Sequence, residues 1–174
     1  MWKLRKGKPK LVALLIVIIP FFTIQFFGMT DLNYPDLPFN PSVILLMFIL
    51  TWTFDSFAYL VGKKLGKTKI LPTISPKKSW EGFFGGYLFC ILVSSLSYFV
   101  FEDYFNHIST LSYILITIIL PFTATTGDFI ESYYKRKAGV KDSGKIMPGH
   151  GGILDRMDAF LITIPVIYII INIT

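Results

Sequence analysis

The sequence is poor in charged residues and in cysteine. Only 16% of its 174 residues are charged, whereas 53% are hydrophobic and the mean hydropathy is +0.59. Soluble domains usually carry about 25% charged residues, so this composition excludes an ordinary soluble domain and indicates a protein embedded in a bilayer. The single cysteine, Cys90, excludes a disulfide framework. With only two histidines, a zinc site is not expected.

Long apolar runs are what the sequence has in abundance. Five of them cover about 11–30, 41–61, 83–101, 110–130 and 159–174, and each is long enough to cross a bilayer as a helix. Because backbone polar groups in lipid must be paired within the segment, helix is the expected state of every run. The sequence therefore predicts an all-α, polytopic integral membrane protein with about five transmembrane helices and a single membrane-embedded domain over residues 1–174.

The basic residues are confined to three segments of the chain. These are the N-terminal tail, the loop after the second run and the loop after the fourth run, and together they hold all 17 Lys and Arg residues. With five crossings the three segments lie on one side of the membrane, and the positive-inside rule makes that side cytoplasmic. We therefore expect a multi-pass protein of the bacterial inner membrane, with its N-terminus and both basic loops in the cytoplasm. The basic tail is expected to contact membrane lipids, not nucleic acid.

Two acidic residues lie at the cytoplasmic ends of otherwise apolar runs. Asp55 and Asp128 would each cost several kcal/mol at membrane depth unless paired or bound to a metal, so both are candidate functional residues. A tethering salt bridge to a loop lysine is the alternative. Glu131 and Ser132 follow Asp128 by one helical turn on the same face, which favours a site.

A second acidic pair begins the last run. Asp155 and Asp158 are three residues apart, so on a helix their carboxylates share one face near the membrane surface. Two carboxylates together with substrate phosphates suit Mg²⁺. The alternative is that acids near a helix N-terminus only complement its dipole, which explains one aspartate better than a pair.

Glycines and bases surround these acids. Gly151 and Gly152 follow His150 and lead into the last run, where backbone N–H groups could approach an anion; a structural turn with a hydrogen-bonding histidine is equally compatible with the sequence. The basic pairs at 77–78 and 135–136 are placed to neutralise a triphosphate or a lipid phosphate, although basic loops under a membrane also bind lipid head groups.

Both basic loops resemble one enzyme family. The second contains SYYKR at 132–136, KDSG at 141–144 and PGHGGILDRMD at 148–158, a pattern similar to the signature of phosphatidate cytidylyltransferases, also called CDP-diacylglycerol synthases. The first contains SPKKSWEG at 75–82 after Asp55, which resembles the second characteristic stretch of that family. The resemblance runs from about residue 52 to 159.

The resemblance implies a reaction in which CTP and phosphatidate give CDP-diacylglycerol and pyrophosphate. Enzymes of the family use a paired-cation centre, which implies Mg²⁺ with K⁺ left open as the second cation, and a homodimer is also left open. The implied metal ligands are Asp128, Asp155 and Asp158. The implied catalytic residues are Asp128, Asp155, Lys141 and Asp142. The implied substrate-binding residues are Ser75, Lys77, Lys78, Lys135, Arg136, His150, Gly151, Gly152 and Arg156.

This sequence departs from the family pattern in small ways and in length. Tyr134 and Met147 stand where other apolar residues are usual, and only one run precedes the first motif-bearing run, where members usually have more. The alternatives are a CTP-dependent enzyme acting on an isoprenoid lipid, a catalytically incomplete homologue, or a small transporter or scaffold. Transporters place ionisable residues near the bilayer midplane, whereas here they cluster at the cytoplasmic ends, which argues against transport.

Overall fold

A computed structural model describes residues 9–27, 41–140, 142–144, 152 and 154–174 of the chain. The predictions for Lys141, His150 and Gly151 lie outside these residues. The described chain forms, in order, α1 (Pro9–Phe26), α2 (Ser42–Leu65), β1 (Lys69–Leu71), β2 (Ser75–Ser79), α3 (Trp80–Val100), α4 (Glu102–Phe105), α5 (Thr110–Lys137), α6 (Leu154–Met157) and α7 (Phe160–Ile173).

The predicted all-α membrane protein is confirmed. Four helical segments of the described chain are long and apolar enough to cross a membrane: Ser42–Leu65, Trp80–Val100, Thr110–Lys137 and Leu154–Ile173. Helix α1 contributes a shorter apolar stretch, Val17–Phe26. The count of five spans therefore stays a prediction.

Two helices continue well past the apolar runs that predict them. Helix α2 extends to Leu65 and α5 to Lys137, because an apolar run marks membrane depth whereas a helix ends only where its backbone hydrogen bonds do. With 28 residues, α5 is about 42 Å long at 1.5 Å per residue, against a hydrocarbon core of about 30 Å. Its last turns are polar and carry Asp128, Glu131 and Lys135.

A two-stranded antiparallel hairpin connects α2 to α3, where the sequence predicts only a loop. Leu71 pairs with Ser75 and Lys69 with Ser79, with an irregular register between the two pairs. Pro and Lys are depleted in strands, so the SPKKS sequence of β2 does not predict one; contacts with the rest of the fold impose it. We call the hairpin, the last turns of α2 and α5 and the start of α6 the polar end of the bundle.

The core lies along the contact of α2 with α3 and the contact of α5 with α7. Leu46, Leu50 and Phe54 of α2 are buried, and the rings of Phe54 and Phe83 pack edge to face with centroids 5.6 Å apart. Between α5 and α7, the hydroxyls of Thr123 and Thr163 are hydrogen-bonded at 3.0 Å. These contacts set the two helix pairs around a cavity at the polar end.

Candidate active site

A cavity of about 470 Å³ opens at the polar end between the hairpin, α2, α5 and α6. Its lining is partly polar and partly apolar, and the apolar part includes Trp52, Phe83 and Phe160. Of the residues predicted from the sequence, those that line it are Ser75, Lys77, Lys78, Asp128, Asp155, Arg156 and Asp158. Strand β2, helices α5 and α6 and the turn after α6 thus bring together residues up to 83 positions apart in the chain.

The hairpin reaches α5 through an ion pair. Lys78 Nζ contacts Asp128 Oδ2 and also lies 5.1 Å from the centre of the Phe129 ring. Ser132 Oγ donates a hydrogen bond of 3.1 Å to Asp128 Oδ1, one helical turn along α5. Both ends of the ion pair keep about a quarter of their side-chain surface exposed, 28% for Lys78 and 25% for Asp128, so each remains accessible from the cavity.

Three carboxylates converge beside this ion pair. One oxygen each from Asp128, Glu131 and Asp158 lies within 4.8 Å of the others. Gly127 permits the approach, because a Cβ there would lie 2.3 Å from the backbone oxygen of Asp158. Such converging oxygen donors are compatible with a divalent cation.

Glu131 is the most buried member of this acidic cluster. Its side chain is 2% exposed, and Oε2 forms an ion pair with Lys135. Oε1 has no hydrogen-bond partner among the residues that the structure describes. A buried carboxylate oxygen without a donor is costly unless charge compensates it, so the donor set fits a hard cation. The sequence places Glu131 one helical turn from Asp128 but indicates no role for it.

Asp155 has other partners. Its Oδ1 accepts a hydrogen bond of 2.8 Å from Lys135 Nζ. Its Oδ2 accepts from the backbone N–H of Ser143 at 2.8 Å, from Ser143 Oγ at 2.9 Å and from the backbone N–H of Gly152 at 2.7 Å. Asp155 therefore ties together the two described pieces of the second basic loop, and Lys135 links it to Glu131.

Several other predicted residues lie away from the cavity. Arg136 is exposed, and its Nη1 lies 3.5 Å from the backbone oxygen of Val140. Asp142 is also exposed and does not line the cavity in the described part of the chain. Lys135 is buried in ion pairs with Glu131 and Asp155. The roles predicted for these residues, and for Asp155 as a metal ligand, stay predictions.

The structure places further residues at the site. Asp55, a candidate functional residue in the sequence, lines the cavity together with Thr51 and Thr125. Ser143 holds Asp155 with both its amide and its hydroxyl. The signal for Ser143 is its position inside the KDSG motif, next to Asp142, and the signal for Glu131 is its spacing of one turn from Asp128.

Comparison with known proteins accords with this site. Residues 2–174 match the cytidylyltransferase family. Phosphatidate cytidylyltransferase of Staphylococcus aureus (strain COL) is 47% identical over 128 residues, which are 74% of this chain and 48% of the relative. The enzyme of the same name from Staphylococcus saprophyticus is 46% identical over the same length and shares of the two chains. This chain thus spans about half the length of the curated relatives it matches.

The match extends over nearly all of the chain and includes both motif-bearing segments that form the cavity. The resemblance found in the two basic loops is therefore confirmed by comparison of the whole sequence. This membrane protein belongs to the cytidylyltransferase family.

Proposed function

We propose that this chain transfers the cytidylyl group of CTP to phosphatidate, giving CDP-diacylglycerol and pyrophosphate. The observation that carries the proposal is one cavity whose lining contains Asp128 and Asp158 as well as Lys77 and Lys78. Carboxylates supply a cation site and lysines supply positive charge, and a nucleoside triphosphate requires both.

The chemistry asks mainly for positioning and charge neutralisation. An oxygen of the lipid phosphate attacks the α-phosphorus of CTP, a new P–O bond forms, and the bond to the β-phosphate breaks to release pyrophosphate. Asp128, Glu131 and Asp158 would hold Mg²⁺, which supplies positive charge against the phosphate oxygens when bound. Lys77 and Lys78 would bind and orient the phosphates from the hairpin side.

The mixed polar and apolar lining of the cavity suits a reaction between a polar and a lipid substrate. Trp52 and Phe160 belong to the apolar part of the lining, and the ring of Phe48 packs on both of them, with centroids 5.8 Å from Trp52 and 4.9 Å from Phe160. These aromatic side chains would offer apolar surface to the glycerol and upper acyl chains of a lipid. CTP would enter from the polar end, where the lysines are.

The proposal includes the orientation of the protein in the membrane. Helices α2 and α5 end in basic residues, Lys63 and Lys64 in one and Lys135, Arg136 and Lys137 in the other. The positive-inside rule puts such ends in the cytoplasm, where CTP is available. We therefore propose a multi-pass protein of the bacterial inner membrane with this site on its cytoplasmic side.

The test is turnover by the purified chain in liposomes. With CTP, phosphatidate and Mg²⁺ we expect CDP-diacylglycerol and pyrophosphate in equal amounts, and no product when the divalent cation is chelated. Replacing phosphatidate by a polyprenyl phosphate tests the isoprenoid alternative, and omitting K⁺ tests for a second cation. Product from the isoprenoid alone would overturn the lipid assignment, and absence of product with either lipid would overturn the proposal for this chain.

A further inference from the structure

Glu81, in the first turn of α3, binds the backbone where the chain leaves α2. Its Oε2 accepts a hydrogen bond of 3.1 Å from the N–H of Lys67, and its Oε1 and Oε2 accept bonds of 3.0 and 3.2 Å from the N–H of Thr68. These two amides lie between Gly66, the C-cap of α2, and strand β1. The carboxylate therefore spans the base of the hairpin.

Two neighbouring hydrogen bonds also hold the base of the hairpin. The N–H of Trp80 donates to the backbone oxygen of Thr68 at 3.0 Å, and Ser79 Oγ caps α3 by accepting from the N–H of Gly82 at 3.2 Å. The strands themselves have only three and five residues, with an irregular register. An isolated two-stranded hairpin is marginally stable at best, so its position depends on how its base is held.

We propose that Glu81 is a positioning residue: its carboxylate fixes the hairpin on the end of α3 and thereby places Lys77 and Lys78 over the acidic cluster. The proposal rests on the proposed function in one respect, namely that the two lysines bind the phosphates of CTP. It does not make Glu81 a group that touches the substrates, because Glu81 is absent from the described lining of the cavity.

A simpler role for Glu81 would be to complement the dipole of α3, since it lies in the first helical turn. The two roles make different demands on the side chain. The dipole requires negative charge only, so aspartate would serve as well as glutamate. The hairpin contact requires reach, and aspartate is one methylene too short to span Lys67 and Thr68 from the same backbone position.

The experiment compares Glu81→Asp and Glu81→Gln with the parent chain in liposomes. Amide hydrogen exchange is measured on peptides that contain Lys67 and Thr68, and the KM for CTP is measured beside kcat. We expect exchange at these two amides to rise about tenfold in Glu81→Asp, because they lose a charged acceptor. We expect the KM for CTP to rise about fivefold to tenfold in the same variant while kcat changes less than about threefold.

Glu102→Gln is the matched control, because Glu102 is also exposed in the first turn of a helix, α4, and lies far along the chain from the hairpin. It should match the parent in both measurements. Exchange in α5 reports whether a variant has lost its fold as a whole. Glu81→Gln keeps the reach and one acceptor oxygen, so it should fall between the parent and Glu81→Asp.

Parent-like exchange and KM in Glu81→Asp, with a defect in Glu81→Gln alone, would overturn the proposal in favour of the dipole role. Parent-like exchange in both variants would overturn it outright. Faster exchange with an unchanged KM would remove the link between the hairpin and CTP. If the parent chain itself makes no CDP-diacylglycerol, the proposed function fails, while the exchange data still decide whether Glu81 holds the hairpin.

Discussion

At the scale of single residues, the acids of the site divide into two environments. Asp158 and Glu131 converge with Asp128 on a common point, whereas Asp155 is surrounded by donors from Lys135, Ser143 and Gly152. Sequence spacing places Asp155 and Asp158 on one helical face and gives them one role. The structure gives them different partners, and a short turn at residues 158–159 lies between α6 and α7.

The position of Asp158 in the acidic cluster predicts that its substitution weakens the binding of a divalent cation. The substitution Asp158→Asn keeps the shape of the side chain and an oxygen that can accept from the N–H of Ala159, which Asp158 Oδ1 binds at 2.7 Å. We expect cation affinity to fall about 10- to 100-fold, since a charged ligand is lost. Titration with Mn²⁺, followed by the shift in thermal unfolding temperature, measures this. Asp103→Asn, at an exposed acid of α4, is the control, and equal affinities in both variants would contradict the cluster.

The partners of Asp155 predict a steric requirement at Gly152. A Cβ at this position would lie 2.3 Å from Ser143 Oγ and 2.8 Å from the backbone nitrogen of Gly144. Gly152→Ala should therefore break the contacts of Asp155 and lower the free energy of unfolding by about 1–2 kcal/mol. Adding Ser143→Ala removes the closest clash, so the double variant should lose less stability than the sum of the two single variants. Additive losses in thermal unfolding would refute this arrangement.

At the scale of elements, the helices follow from the sequence and the hairpin does not. Apolar runs locate α2, α3, α5 and α7 because burial in lipid forces paired backbone groups. The sequence does not predict where α2 and α5 end, because Leu65 and Lys137 lie beyond the predicted apolar runs. The hairpin is set by Glu81 and by the pairing of Thr68 with Trp80, which join residues more than ten positions apart. The strand propensity of a short segment does not reflect contacts with residues this far along the chain.

Helix α5 and the turn before α7 meet at Gly127, which yields a second steric prediction. Alanine in a helix interior is normally favoured over glycine by up to about 1 kcal/mol. At Gly127 the added Cβ would lie 2.3 Å from the backbone oxygen of Asp158, and such overpacking costs about 1–3 kcal/mol. Gly127→Ala should therefore lower the thermal unfolding temperature in detergent.

The neighbouring Thr126 supplies the control for this comparison, because its side chain is exposed and donates a hydrogen bond to the backbone oxygen of Phe122 in its own helix. Thr126→Ala should leave the unfolding temperature close to that of the parent. If Gly127→Ala raised the unfolding temperature, α5 and the turn before α7 would not be in close contact at this position.

At the scale of the whole molecule, the single cysteine makes the orientation in the membrane measurable. Cys90 is fully buried, with its Sγ 3.3 Å from the backbone oxygen of Leu50, so it provides a silent background for labelling. Asn106 and Lys137 are both exposed; Asn106 lies in the connection that precedes α5, and Lys137 is the last residue of α5. In intact cells, a membrane-impermeant maleimide should label Asn106→Cys, whereas Lys137→Cys should react only after permeabilisation. The reverse pattern would invert the predicted topology.

If the proposed function holds, the ion pair between Lys78 and Asp128 would make cation binding and phosphate binding interdependent. While the pair exists, the lysine is held by the carboxylate, and the carboxylate is screened by the lysine. A divalent cation held by Asp128 would leave Lys78 available for a phosphate, and a phosphate bound by Lys78 would leave Asp128 available for the cation. Each ligand should therefore raise the affinity of the other by the same factor, as thermodynamic linkage requires. Cooperativity between nucleotide and cation would then arise from one exchangeable contact, with no movement of the helices.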